Sequence, residues 1–164
     1  MSTIRLTKTI LILLIIIVSV GCDQVSKRIV RQNIPPNEVI HLLSDRLTVT
    51  NVENTGAFLS VGSSFSKTMK NIFLSLLPCV AVCLGLFYVL TKQNLGAPLL
   101  LGLCLVIGGG IGNVADRIIY GSVTDFVHVD FGIFQTGIFN MADLSIMAGV
   151  AIILFQSIFR KEFP

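Results

Sequence analysis

Charged positions along the chain are separated by long apolar runs. Residues 71–91 lie uncharged between Lys70 and Lys92, residues 93–115 between Lys92 and Asp116, and residues 144–159 between Asp143 and Arg160. The first two match the roughly 20 residues that a membrane-crossing helix needs, and the third reaches that length if it begins near Thr136 and contains Asp143. A further apolar stretch, Ile10 to Val20, follows Arg5 and Lys8. The pattern predicts four spans, near residues 6–22, 71–91, 97–115 and 138–159, within a single membrane domain over 1–164.

The segment between the first two spans, residues 23–70, is too long for a bare connection and is expected to carry structure of its own. Leu47 to Val52 alternates apolar and polar residues as a short strand does, and Asn54, Thr55, Gly56 read as a turn after it. Val123 to Phe131 is a second strand-like segment. There Val123, Asp125, Val127, Val129 and Phe131 share one face, which makes Asp125 the one acid on an apolar surface. With four spans both segments lie on one side of the membrane. The fold expected is therefore mainly α, four transmembrane helices with a small β-sheet resting against the helix ends.

Composition agrees with a bilayer protein. The chain is 53% hydrophobic and only 13% charged, against roughly a quarter charged in soluble domains, and its mean hydropathy is +0.85. At the N-terminus, Ser19, Val20, Gly21, Cys22 after an apolar core read like a lipoprotein signal peptide, with Cys22 as the residue to be lipidated. Retention as a first transmembrane helix is the favoured reading, because most of the remaining chain is itself membrane. Cys79, Cys83 and Cys104 lie inside spans at no metal-binding or disulfide spacing, and read as packing residues. His41 and His128 have no ligand partners at a suitable spacing, so no metal or cofactor is expected. No basic tract with interleaved aromatics points to nucleic acid.

An even number of spans puts both termini on one side. Arg5, Lys8, Lys92, Arg160 and Lys161 belong to that side, whereas Lys27, Arg28, Arg31, Arg46, Lys67, Lys70 and Arg117 belong to the other. The raw count opposes a cytoplasmic N-terminus, but the long loop mixes its cations with Asp23, Glu38, Asp45 and Glu53, and such a loop carries less topological weight than a short flank. Both termini are placed inside.

The chain has nine acidic residues in 164, and an acid beside hydrocarbon needs a partner or a task. Asp143, entering the last span after Phe139, Asn140, Met141 and Ala142, is either a first-turn carboxylate stabilised by the helix N-terminus or a functional group. Asp125 tips that balance, being on the same side at a similar depth. Two carboxyl groups that meet share a proton, so that one can act on water while the other donates to a carbonyl. Asp116 and Arg117 follow Gly108 and Gly112, a small-xxx-small pair that permits close helix contact. Asp116 reads equally as an interfacial ion-pair member, and Asn113 and Arg117 sit one turn apart like a carbonyl-binding pair. Asp23 and Lys27 have the i, i+4 spacing of a simple surface pair.

Five blocks together resemble the lipoprotein signal peptidases, also called signal peptidase II. They are Asp23-Gln24-Val25-Ser26-Lys27; Asn54-Thr55-Gly56-Ala57; Gly109-Gly110-Ile111-Gly112-Asn113-Val114-Ala115-Asp116-Arg117; Val123-Thr124-Asp125-Phe126; and Phe139-Asn140-Met141-Ala142-Asp143. The resemblance implies an aspartic peptidase of bacterial inner membranes with Asp125 and Asp143 as catalytic dyad. It implies that Asn54, Gly56, Asn113, Arg117, Asn140 and Ala142 line or support the site, with Asp23, Lys27 and Asp116 holding its architecture. The implied substrate is a diacylglyceryl-modified prolipoprotein cut before its lipidated cysteine, and the first loop would form an extracytoplasmic cradle on the membrane. The chain is expected to work as a monomer among membrane lipids. Two departures stand out. Phe58 and Leu59 replace an alanine and an aromatic residue, which bears on substrate or inhibitor preference, and Thr124 replaces a valine. The rivals are a small proton-coupled transporter or channel subunit with Asp23, Asp116 and Asp143 as relay, and a membrane-anchored structural lipoprotein.

Overall fold

The computed structural model describes residues 3–43, 45–57 and 61–159. Among these residues four helices are long and apolar enough to cross a membrane: Arg5–Asn33, Lys67–Thr91, Ala97–Tyr120 and Met141–Phe159. Ile17, Leu84, Phe87 and Phe155 are among many large apolar side chains exposed on the outside of the bundle, as a hydrocarbon surround requires.

Helix α1 (Thr3–Asn33) runs unbroken through Gly21 and Cys22 into the charged stretch beyond. The apolar run stops there but the helix does not, because Asp23, Lys27 and Arg31 recur every fourth residue on one face and find partners along it. The second span combines α2 (Lys67–Lys70), a π-helical stretch Asn71–Leu76, and α3 (Leu77–Thr91). Pro78 in the first turn of α3 has no amide hydrogen to give to the preceding turn, which favours the wider winding just before it.

Helix α4 (Ala97–Tyr120) is central, and glycines set how closely its neighbours approach. A Cβ on Gly108 would stand 2.7 Å from Ser19 of α1, and one on Gly110 the same distance from Val82 of α3. Gly102 faces Gly149 of α5 (Met141–Phe159) across a gap that would leave a Cβ 2.8 Å from the Gly149 carbonyl oxygen. Close backbone contact of this kind is how helices associate where no hydrophobic effect drives them together. The helix stops at Gly121, whose φ of 79° belongs to the left-handed region that glycine tolerates. At the opposite end, the Lys8 ammonium donates to the carbonyls of Lys92 and Gln93 and ties α1 to the α3–α4 turn.

Three antiparallel strands, β1 (Val39–Leu42), β2 (Leu47–Asn54) and β3 (Val123–Val129), form a sheet in the order β1-β2-β3. Val52 lies opposite Asp125, and an irregularity between Val49 and Val52 shifts the register. The edge strand β1 has no apolar alternation and all four residues are exposed, so its sequence carried no strand signal. Phe126 packs on Val30 and Ile34, which seats the sheet on the end of α1. Thr124 is fully buried and its neighbour Asp125 nearly so, so the start of β3 is covered on both faces, with Arg31 of α1 and Asp116 of α4 bonded to Thr124. His41, exposed, pairs with Asp45 at 2.9 Å.

Candidate active site

Asp125 and Asp143 are brought together by Asn140. The Asn140 side-chain amide donates to Asp125 Oδ1 at 2.7 Å, while its Oδ1 accepts the Asp143 backbone N–H at 3.0 Å. Asp143 Oδ2 in turn accepts the Asn140 backbone N–H at 3.2 Å. The exchange across Asn140-Met141-Ala142-Asp143 is the reciprocal arrangement of a capping box, and it satisfies two amides at the start of α5. Asp143 is thus a first-turn carboxylate that shares Asn140 with Asp125. The two readings of it are compatible.

The remaining carboxylate oxygens are met by two more asparagines. Asn54, at the end of β2, donates to Asp125 Oδ2 at 2.8 Å, and Asn113 on α4 donates to Asp143 Oδ1 at 2.8 Å. Each carboxylate oxygen of the pair therefore has a donor. The amide orientations follow from their other neighbours. Asn54 Oδ1 accepts the Gly56 N–H at 2.9 Å, and Asn113 Oδ1 accepts from Lys27 Nζ at 3.0 Å. An ammonium can only donate, so the Asn113 nitrogen must face Asp143.

Asp125 lies outside the helical spans and is buried. Burial pushes its carboxyl up from 3.8 to about 6, and the Asp143 charge adds to the rise, against the opposing effect of the Asn54 and Asn140 hydrogen bonds and of Lys27.

Behind the pair stands a dry ionic cluster. Asp23, Lys27 and Asp116 are each fully buried. Lys27 Nζ has three acceptors for its three protons: Asp23 Oδ2 at 2.8 Å, Asp116 Oδ2 at 3.0 Å and Asn113 Oδ1. Arg31 Nη2 lies 3.1 Å from Asp116 and its Nε donates to Thr124 Oγ1 at 2.7 Å, so two acids face two bases. The surface pair expected for Asp23 and Lys27 is overturned: i, i+4 spacing sets the partner, but not which side of the helix the pair faces. Arg117 likewise does not pair with its neighbour Asp116. Its Nη2 donates to the Gly56 carbonyl at 2.9 Å and thereby links α4 to the turn after β2.

Asp23 also reaches α5, where Oδ1 accepts the Ala142 N–H at 2.9 Å. That bond fixes the start of α5 against α1, one residue before Asp143. Gln24 reinforces it by donating to Asp23 Oδ2 at 3.0 Å and Asp116 Oδ1 at 3.1 Å. Arg31 and Glu53, whose carboxylate receives Thr124 Oγ1 at 2.7 Å, escaped the sequence reading. The signal for Arg31 was present in its i+4 position after Lys27.

Asp143, Asn113 and Arg117 open onto a cleft of about 430 Å³ whose other walls are apolar, with Phe73 and Leu74 of the π-helical stretch, Pro78, Ile146 and Met147. Ala57 closes the cleft on the sheet side. Phe58 and Leu59, singled out for their bearing on preference, lie outside the described residues. Two carboxyl groups joined through one asparagine, one of them in the wall of an apolar cleft, are an arrangement that can act on water and a bound carbonyl.

The sequence model of the family described as signal peptidase (SPase) II matches residues 15–159. A lipoprotein signal peptidase of Gloeobacter violaceus is 35% identical over 89% of this chain and 80% of its own length. One from Streptococcus pneumoniae is 31% identical over 90% of this chain and 92% of its own. In fold, a solved bacterial membrane enzyme superposes with a TM-score of 0.81 at 23% identity, covering 92% of this chain and 88% of that one.

Proposed function

The chain belongs to the signal peptidase II family and is a membrane peptidase, and on that premise we propose that it removes signal peptides from diacylglyceryl-modified prolipoproteins by aspartic catalysis. Asp125 and Asp143 form the dyad and cut the bond before the lipidated cysteine. The observation that carries this reading is the bridge through Asn140, which ties Asp125 to Asp143 in the wall of an apolar cleft.

In the working state the pair holds one proton. The ionised carboxylate takes a proton from water as its oxygen attacks the scissile carbonyl carbon, and the protonated partner donates to the carbonyl oxygen. Collapse of the tetrahedral intermediate passes a proton to the departing cysteine nitrogen. Which aspartate carries the resting proton is a property of the pair rather than of either residue. Arg117, in the cleft wall, offers donors to substrate backbone carbonyls, and Phe73, Leu74, Ile146 and Met147 receive apolar substrate groups.

Asp23, Asp116, Asp125 and Asp143 gather where α1 and α4 finish and α5 begins, an arrangement suited to a site near one leaflet rather than to a relay through the span depth. That leaflet is the extracytoplasmic one of the bacterial inner membrane, with both termini cytoplasmic, and the chain acts as a monomer. The test is cleavage of paired synthetic peptides, one with a diacylglyceryl cysteine and one with the free thiol. Mass analysis should find a product beginning at the lipidated cysteine, with the free-thiol peptide left intact. Cleavage elsewhere, or indifference to the lipid, would refute the proposed specificity.

A further inference from the structure

A second hollow of about 430 Å³ lies between the end of α1 and the end of α4, lined by Gln24, Arg28, Arg31, Gln32 and Tyr120. The four α1 positions fall on one stripe, at i, i+4, i+7 and i+8. None of the lining residues is an acid. Arg31 is already engaged: it lies on the Tyr120 ring at 4.0 Å, and Asp116 and Glu53 share its charge. Its Nη2 is nevertheless buried without a well-aligned hydrogen-bond acceptor. Arg28 is exposed and forms no ion pair or hydrogen bond among the described residues. The hollow thus holds one uncompensated cation, Arg28, beside the Arg31 guanidinium and the amide of Gln32.

Its surroundings decide what can reach it. Next to its lining residues in sequence, Val25 and Ile29 on α1 and Ile118 and Ile119 on α4 are each more than half exposed. Tyr120, half-exposed, stands at the end of the span, where amphipathic rings settle at headgroup level. Apolar side chains so exposed on spanning helices, next to the lining residues, face lipid rather than bulk water, so an anion that settles among them carries acyl chains with it. We propose that this hollow binds the phosphodiester headgroup of a membrane lipid, with Arg28 supplying the charge, Arg31 and Gln32 the further donors, and the exposed isoleucines the acyl-chain contact. Guanidinium groups suit the task because their planar donors match phosphate oxygens in pairs. The site adjoins the ionic cluster through Gln24 and lies apart from the cleft.

Native mass spectrometry of the full chain released from micelles tests this directly, with phosphatidylglycerol, a phosphate-free diglycosyl diacylglycerol and inorganic phosphate offered in separate arms. Retention of phosphatidylglycerol over the glycolipid is expected, with Arg28→Gln lowering it by roughly tenfold. Gln32→Leu, which leaves the charges alone, should lower it less, and either variant suffices if the other misfolds. Equal retention of the glycolipid, or unchanged retention in both variants, would overturn the proposal. Displacement of the lipid by millimolar inorganic phosphate would overturn its lipid source.

Discussion

Lys27 donates to the side-chain oxygen of Asn113 at 3.0 Å, and this contact decides which end of the amide Asp143 meets. The same ammonium neutralises Asp23 and Asp116, both fully buried. Lys27→Met should therefore cost about 3–5 kcal/mol of stability, since two buried carboxylates lose their shared cation. Asn113→Leu removes the link to Asp143 and one of the three acceptors of Lys27, but leaves both buried carboxylates their cation. It should keep the fold to within about 1–3 kcal/mol while kcat/KM falls roughly a hundredfold through loss of positioning. Melting curves and peptide kinetics on the two variants separate these effects, and wild-type stability in Lys27→Met would refute the account of the cluster.

Asp125 supplies a pH dependence with a definite sign. Its folded-state value, about 6, lies above the 3.8 of an ordinary carboxyl. A group of this kind stabilises the fold below the unfolded value and loses that contribution as pH rises from about 4 to about 6. Asp125→Asn stays neutral throughout, so its melting temperature should gain on the wild type across that window and hold the gain above it. The proton lost is also one the proposed dyad needs, so kcat/KM should decline on the alkaline side. A constant gap in melting temperature from pH 4 to pH 8 would count against the burial argument.

Much of this was legible in the sequence because membrane helices write themselves as long uncharged runs and short strands as alternation. Asp125 stood out as an acid on an apolar strand face, and Asp143 as an acid entering a helix. The ionic cluster was harder to read. Asp23 and Lys27 have the spacing of an ordinary surface pair, and only the glycine face of α4, which lets α1 approach, puts them in a dry interior. Asp116 and Arg117 are adjacent in sequence but point to different partners, because successive residues on a helix face different ways. The π-helical stretch, which carries Phe73 and Leu74 into the cleft wall, had no signal beyond Pro78.

The glycines of α4 predict a graded response to alanine. A Cβ on Gly109 would collide with the Ala142 carbonyl oxygen, at the turn of α5 that carries Asp143. Gly109→Ala should cost about 1–3 kcal/mol and reduce activity more than the stability loss alone explains. Gly21, by contrast, has nothing within 4 Å of its built Cβ and lies within a helix. Gly21→Ala should be neutral or stabilising by up to about 1 kcal/mol. Thermal unfolding and kinetics of the pair check this, and equal behaviour of the two variants would contradict the packing described.

Chelators should leave the rate unchanged, since in the proposed mechanism the dyad activates water. No group of three or more His, Cys, Asp or Glu suited to a metal ion occurs among the described residues. Inhibition by EDTA that zinc or magnesium restores would point to metal-assisted hydrolysis instead.

The central claim is that Asp125 and Asp143 act as one catalytic unit. Its most direct test is the initial rate of release of the lipidated-cysteine product from a diacylglyceryl peptide by purified wild type, Asp125→Asn and Asp143→Asn, with folding verified for each. Both substitutions should lower kcat by roughly a thousandfold or more while the proteins keep their melting transitions. A near wild-type rate in either folded variant would contradict the dyad.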